Sequence, residues 1–175
     1  VLLGLAVGQG STPVDDWFQE LGKRHPDLGR LLVFTDSRVV VAAYVAVVAA
    51  ALLRRRWRLA AIAAVTPVVA VAAARFGKRA FGRLKDGEVC FPSGHTTVTV
   101  VVLAMAVLLV GAAAWAVVGA AVITVLAVVG QAVSYHYFTD AIGALLLGTA
   151  LVCAAVSAAK IDRRQPRCEL GHKNR

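Results

Sequence analysis

VVVAAYVAVVAAALL, Val39 to Leu53, is an unbroken apolar run of fifteen residues that follows Arg38 and ends at Arg54-Arg55-Arg56-Trp57-Arg58. A bilayer core about 30 Å thick takes roughly 20 apolar residues as α-helix, with about 17 at the lower end. The run is short by that measure, but arginines at both ends can bury their stems and carry their charges out to the interfaces. Read as a membrane span, it organises the rest of the chain. Leu59 to Phe76 follows across the arginine connection, interrupted by Thr66, Pro67 and Arg75. Thr96 to Val110 and Ala112 to Val129 are two more runs, divided near Gly111, and Ala141 to Ala159 is the last. Val1 to Val7 reads as the remainder of a span that begins before residue 1. The expectation is an all-α, polytopic membrane protein of six transmembrane helices, the first one truncated.

Composition supports this reading. Of 175 residues, 59% are hydrophobic, and the mean hydropathy is +0.73; soluble domains average about 45–50% apolar residues. A water-soluble α/β enzyme is excluded. Lys+Arg outnumber Asp+Glu by 19 to 10, a formal charge of +9, but the basic residues cluster between apolar runs. A nucleic-acid binder would spread them over a soluble domain, so the expected partner is the bilayer and no nucleic acid. Cys90, Cys153 and Cys168 show neither a disulfide framework nor metal-ligand spacing and read as free thiols.

Between Val7 and Arg38, Thr12-Pro13 reads as a helix N-cap and first-turn proline, with Asp15 and Asp16 near the positive helix end. Val14, Trp17, Phe18 and Leu21 then recur at i, i+3, i+4 and i+7. This predicts an amphipathic helix, either lying in the membrane interface or packed on the protein as a cap. Residues 1–159 form one transmembrane domain, and Lys160 to Arg175 form a basic C-terminal tail. Lys and Arg in short loops mark the cytoplasmic side. The Arg54–Arg58 connection and the tail are therefore expected inside, and the polar loops around residues 8–37, 77–95 and 130–140 outside.

The residues able to do chemistry gather on that outer side. Lys78, Arg79, Arg83 and Lys85 leave one helix; Pro92-Ser93-Gly94-His95 opens the next; His136 and Asp140 enter the last. Ser93 is a good N-cap, Gly94 admits a ligand close to the backbone, and the N–H groups of a helix start favour a bound phosphate. His95 projects from the same turn. His136 and Asp140, four apart, share a face if helical, and an Asp accepting from one imidazole nitrogen leaves the other as base or nucleophile. Beside a phosphate, Lys78, Arg83 and Lys85 read as oxyanion ligands. No acidic cluster suits Mg²⁺, so no metal and no cofactor are expected.

These segments resemble the type-2 phosphatidic acid phosphatase superfamily, whose pattern is K-x6-R-P, then P-S-G-H, then S-R-x5-H-x3-D. Lys78 matches the first lysine, Lys85 stands at the arginine and Asp86 at the proline, while Arg83 lies where relatives often carry arginine. Ser93, Gly94 and His95 match the second motif, and His136 and Asp140 the third. The third-motif serine and arginine fall on Val129 and Gly130. The resemblance implies His136 as a nucleophile forming a phosphohistidine, Asp140 as its orienting acid and His95 as general acid. It implies Lys78, Arg83, Lys85, Ser93 and Gly94 as phosphate ligands. The implied activity is metal-independent hydrolysis of a phosphomonoester or diphosphate on a lipid, polyprenyl-linked (sugar phosphates included) or glycerophospholipid. The implied setting is cell-envelope lipid metabolism, with the active site facing the extracytoplasmic side of the cell membrane. Transfer of the phosphoryl group to another acceptor, and a non-catalytic lipid binder, are the alternatives the residues leave open.

Overall fold

The computed structural model describes residues 2–159; the basic tail and Cys168 lie outside the described residues. Helix α1 (Leu2–Ala6) is followed by α2 (Pro13–Arg24), a 3₁₀ segment (Pro26–Thr35), α3 (Ser37–Leu53) and α4 (Trp57–Phe81). A short antiparallel hairpin, β1 (Leu84–Lys85) with β2 (Glu88–Val89), leads to α5 (Gly94–Leu109), α6 (Ala114–Val133) and α7 (Phe138–Ala158). Four stretches are long and apolar enough to cross a membrane: Pro26–Leu53, Trp57–Phe81, Ala114–Val133 and Phe138–Ala158. Helix α5, at 16 residues, is shorter, and α1 covers five.

Small side chains hold the bundle together. Ala51, Ala60, Ala63 and Ala70 pack with Val47, Leu59, Val101, Met105 and Leu109 where α3, α4 and α5 meet. Alanine lets helix backbones approach closely, which is how helices associate when the solvent is lipid. Other valines point outward, among them Val45, Val68, Val118, Val122 and Val125. Exposed aromatics mark both ends of the bundle. Trp57 and Trp115 open α4 and α6, while Phe76 sits near the end of α4 and Tyr135 just past α6. That is the placement of interfacial aromatic belts. Pro67 lies inside α4 without ending it. Around it, the Thr66 and Tyr44 hydroxyls donate to the Ile62 and Ala64 carbonyls at 2.6 and 3.1 Å.

At the Trp57 end, Arg54 and Arg56 donate to the carbonyls of Leu108 and Leu109 at 2.9–3.3 Å. They cap the C-terminus of α5, whose last carbonyls have no helical partner.

The amphipathic segment forms a helix, but a different face is buried. Val14 and Trp17 are exposed. Asp15, Gln19 and Gly22, at i, i+4 and i+7, face the protein: Asp15 is fully buried, Gln19 Nε2 donates to Ala132 O at 2.6 Å, and a Cβ at Gly22 would run into the Val133 carbonyl. Phe18 stacks on Phe138 of α7 with centroids 4.4 Å apart. Specific polar partners on α6 and α7 outweigh the hydrophobic periodicity here.

Candidate active site

Every candidate side chain comes from the end of an element at one pole of the bundle. The Phe91–His95 loop is seated by two glycines. A Cβ at Gly77 would meet Pro92 Cδ at 2.7 Å, and one at Gly143 would meet the Phe91 ring at 2.5 Å. Ser93 is fully buried and caps α5 through Thr96 N–H at 3.4 Å, while its own N–H donates to Asp140 O at 3.2 Å. Thr97 N–H and hydroxyl both donate to Ser93 O. The N–H groups of Gly94 and His95 are left at the helix start, where backbone donors have no intrahelical partner. The side of Gly94 is open, with the nearest atom to a Cβ being Ala74 Cβ at 4.0 Å.

A cavity of about 540 Å³ lies in front of this turn, and Lys78, Lys85, Cys90, His95, Gln131 and His136 are among its lining residues. Lys78 and His95 also line a second, adjoining cavity of about 360 Å³, whose walls include Val40, Val41, Val71 and Val98. His136 and His95 thus share one cavity with two lysines, and an apolar cleft between α3, α4 and α5 adjoins it.

His136 lies in the turn before α7, not in a helix, and Asp140 is the third residue of α7. Asp140 Oδ2 accepts from Tyr137 N–H at 3.0 Å as a helix cap. The same oxygen is 3.7 Å from His136 Nδ1, beyond hydrogen-bond length, and Nδ1 is buried without a partner. Catalytic hydrogen bonds are often long in a free enzyme and tighten when substrate is bound. Lys85 Nζ donates to Ser134 O and His136 O at 3.1 and 3.4 Å. It fixes the turn that carries His136 and keeps a third N–H for the cavity. Burial holds Lys85 below the ordinary lysine range, against the nearby charges of Asp86 and Asp140. Burial beside Asp140 pushes the Cys90 thiol up to about 12, which leaves it protonated and unreactive.

Arg83 points away from the cavity. It is buried, with all five N–H groups engaged. Nε and Nη2 donate to Gly10 O at 3.1 and 2.7 Å, Nη2 to Asp15 Oδ2 at 2.8 Å, and Nη1 to Thr139 Oγ1 and Asp140 Oδ1 at 2.6 and 2.7 Å. Its guanidinium lies 4.5 Å from the centre of the Tyr137 ring. In this arrangement Arg83 holds Asp140 in place and has no donor left for a phosphate, a role different from the ligand that its position among the cations suggests.

Asp15 is the residue the sequence reading did not place here. It accepts from Thr12 N–H and from Thr139 N–H, both at 2.9 Å, and so caps α2 and α7 together. Burial works to raise its carboxyl, but the Thr139 and Thr12 N–H groups and the Arg83 guanidinium prevail and hold it below the usual carboxylate range. The only sequence signal was its capping-box position after Thr12. Gln131 was missed as well; a buried polar side chain inside an apolar helix is the cue that marks it.

Gly130, at the third-motif arginine position, is inside α6, and a Cβ there would meet Leu31 C, Cβ and O at 2.8, 2.9 and 3.0 Å. The 3₁₀ segment fills the space an arginine stem would need. Among the described residues, no group of three or more His, Cys, Asp or Glu is placed to hold a metal ion.

No curated protein and no solved structure gives a significant match to the chain. The sequence profile of the PAP2 superfamily matches residues 75–164. That match is just over half of the chain and runs from the end of α4 through both histidine segments and α7. With Lys78, Lys85, His95 and His136 lining one cavity at the helix ends, this chain belongs to the PAP2 superfamily.

Proposed function

We propose that the protein is a membrane lipid-phosphate phosphatase working through a phosphohistidine on His136. The observation that carries this reading is the shared cavity: His95, His136, Lys78 and Lys85 line it together, and the apolar cleft beginning at Lys78 and His95 gives a lipid tail somewhere to lie. A soluble phosphate ester would need no such cleft.

The phosphoryl group sits at the start of α5, held by the Gly94 and His95 N–H groups, Lys78 and the free N–H of Lys85, where positive charge meets the oxygens. His136 Nδ1 faces Asp140, so Nε2 attacks phosphorus. The P–O bond to the lipid breaks, its electron pair goes to the leaving oxygen, and His95 supplies the proton. Water then attacks the phosphohistidine, His95 takes the proton back, and inorganic phosphate leaves with His136 restored. The steps draw on the imidazoles of His136 and His95, with lysine and backbone N–H donors on the phosphoryl oxygens; Asp36, Asp86 and Glu88 also line the cavity.

The substrate is a phosphomonoester or diphosphate of a polyprenyl-linked lipid, sugar phosphates included, or of a glycerophospholipid. The chain sits in the cell membrane with the cavity on the extracytoplasmic side, in keeping with Arg54–Arg58 at the opposite pole. Phosphate release by purified protein in detergent, with chelator present and a panel of such lipids, tests the reading. Release from at least one lipid, lost in His136→Ala, is expected. No release from any of them overturns it.

A further inference from the structure

The amide of Gln131 is an unexplained polar group in the cavity wall. Its side chain is buried, with the residue 3% exposed. Nε2 donates to Thr35 Oγ1 at 2.7 Å, and Oε1 has no partner. Buried polar atoms are nearly always paired, and an exception at a binding cavity calls for an explanation. Thr35 does not supply one, because its hydroxyl already donates to Leu32 O at 3.1 Å.

Position adds a second observation. Gln131 follows Gly130, the site of the arginine in the family's third motif, and that position faces the Leu31 backbone with no room for a Cβ. One residue further along α6 the side-chain direction turns by about 100°, and Gln131 lines the cavity together with His95 and His136. The closing of position 130 by the 3₁₀ segment and the polar group presented at 131 are thus parts of one arrangement, since Thr35 of that segment also holds the Gln131 amide.

We propose that Gln131 is a phosphate-binding residue whose Oε1 accepts a hydrogen bond from a protonated phosphoryl oxygen. This rests on the reading of the cavity as a phosphate site. An arginine fork donates only, and it takes fully ionised oxygens. A carbonyl oxygen accepts only, so it meets a phosphoryl oxygen that carries a proton and gains nothing from one that does not. The ligand class is therefore the phosphoryl group bearing one proton: a singly protonated phosphomonoester, or hydrogenphosphate as product.

Sulfate and hydrogenphosphate at pH 8 have the same charge and shape, and only the second carries a proton. The experiment measures protection of the detergent-purified protein against thermal unfolding by each ion at matched ionic strength, with no turnover required. A buried acceptor left without a donor is costly, and we expect phosphate to be preferred by roughly 10–100-fold. In Gln131→Met, of similar volume, the preference should fall to within about threefold. Thr35→Val removes the tie to the 3₁₀ segment but leaves the acceptor, so it should lower the unfolding temperature while keeping most of the preference. If Gln131→Met does not fold, Gln131→Asn, which withdraws the amide by one methylene, serves with the same expected loss. Equal protection by both ions in the wild type, protection by neither, or an undiminished preference in the Gln131 variant overturns the proposal. Phosphate release from lipids is read separately, so a protein that prefers phosphate but hydrolyses nothing refutes the proposed activity and not the role of Gln131.

Discussion

Replacing Arg83 by Met separates two roles that a cation beside a phosphatase site can have. In the structure its guanidinium is closed in between Asp15 and Asp140, with both ion pairs at 2.7–2.8 Å and all three side chains 0% exposed. Methionine fills similar volume but leaves two buried carboxylates without their cation. Removing one partner of a buried pair costs about 3–5 kcal/mol, because the stranded charge cannot be hydrated. For a chain of this length that is a fall of roughly 6–20 °C in Tm. Asp140 would also lose the contact that fixes it behind His136, so kcat should fall with little change in KM. Adding Asp15→Asn removes one stranded charge, and the double variant should be less unstable than the two single losses summed. The assays are thermal unfolding in detergent and steady-state hydrolysis of a lipid phosphate. An Arg83→Met protein with Tm within about 1 °C of wild type, and with weakened phosphate inhibition as its main defect, would refute the reasoning and place Arg83 on the substrate.

Other consequences can be checked separately. Gly130→Ala should destabilise by about 1–3 kcal/mol, the usual cost of overpacking, because its Cβ meets the Leu31 backbone carbon at 2.8 Å; a thermal scan indistinguishable from wild type would contradict this. Lys85 is held below the ordinary lysine range by burial, so its positive charge is lost as pH rises through that lowered range. Phosphate inhibition should weaken over that interval in the wild type and persist in Lys85→Arg, since arginine stays charged; identical alkaline profiles would exclude Lys85 as the cause. For sidedness, the native Cys90 is a poor probe, being buried with its thiol pushed up to about 12. Glu88→Cys in the exposed β2 strand should react with an impermeant maleimide on intact cells, and protection there combined with labelling after lysis would put the cavity on the cytoplasmic side.

How much of this was legible in the sequence depends on the range of the interaction involved. The apolar runs located α3 to α7 because burial in lipid acts on each segment separately. Ser93 as the cap of α5 was readable for the same reason, since a cap is settled within four residues. The His136–Asp140 pairing was expected from one helical face. The structure brings the two together differently, with His136 in a turn and the Asp140 carboxylate folded back as a cap of the turn that carries it.

What the sequence hid is tertiary. Counting cations near a phosphate motif cannot tell Lys78, which lines the cavity, from Arg83, which turns toward Asp15 some 68 residues away. Hydrophobic periodicity selected the Val14–Trp17 face of α2, whereas the buried face is polar because Gln19 and Asp15 find partners on α6 and α7. The α6 helix was expected to stop at Val129, and it continues to Val133. Gly130 and Gln131 are therefore a helix-packing contact and a cavity side chain, not loop residues. The arginines at 54 and 56 have a structural reason to be there apart from the proposed sidedness, since they bond to the end of α5.

Trapping the covalent intermediate is the most direct test of the central claim. Purified protein mixed briefly with a lipid phosphate labelled in the phosphoryl group, then quenched in alkali, should retain label on the peptide containing His136. Phosphohistidine survives base and is lost in acid, so the label should disappear on acidification. It should be absent from His136→Ala and should accumulate in a His95 variant given a good leaving group, because His95 acts again in the water step. Hydrolysis that proceeds with no acid-labile adduct, or with full activity in His136→Ala, would contradict the account.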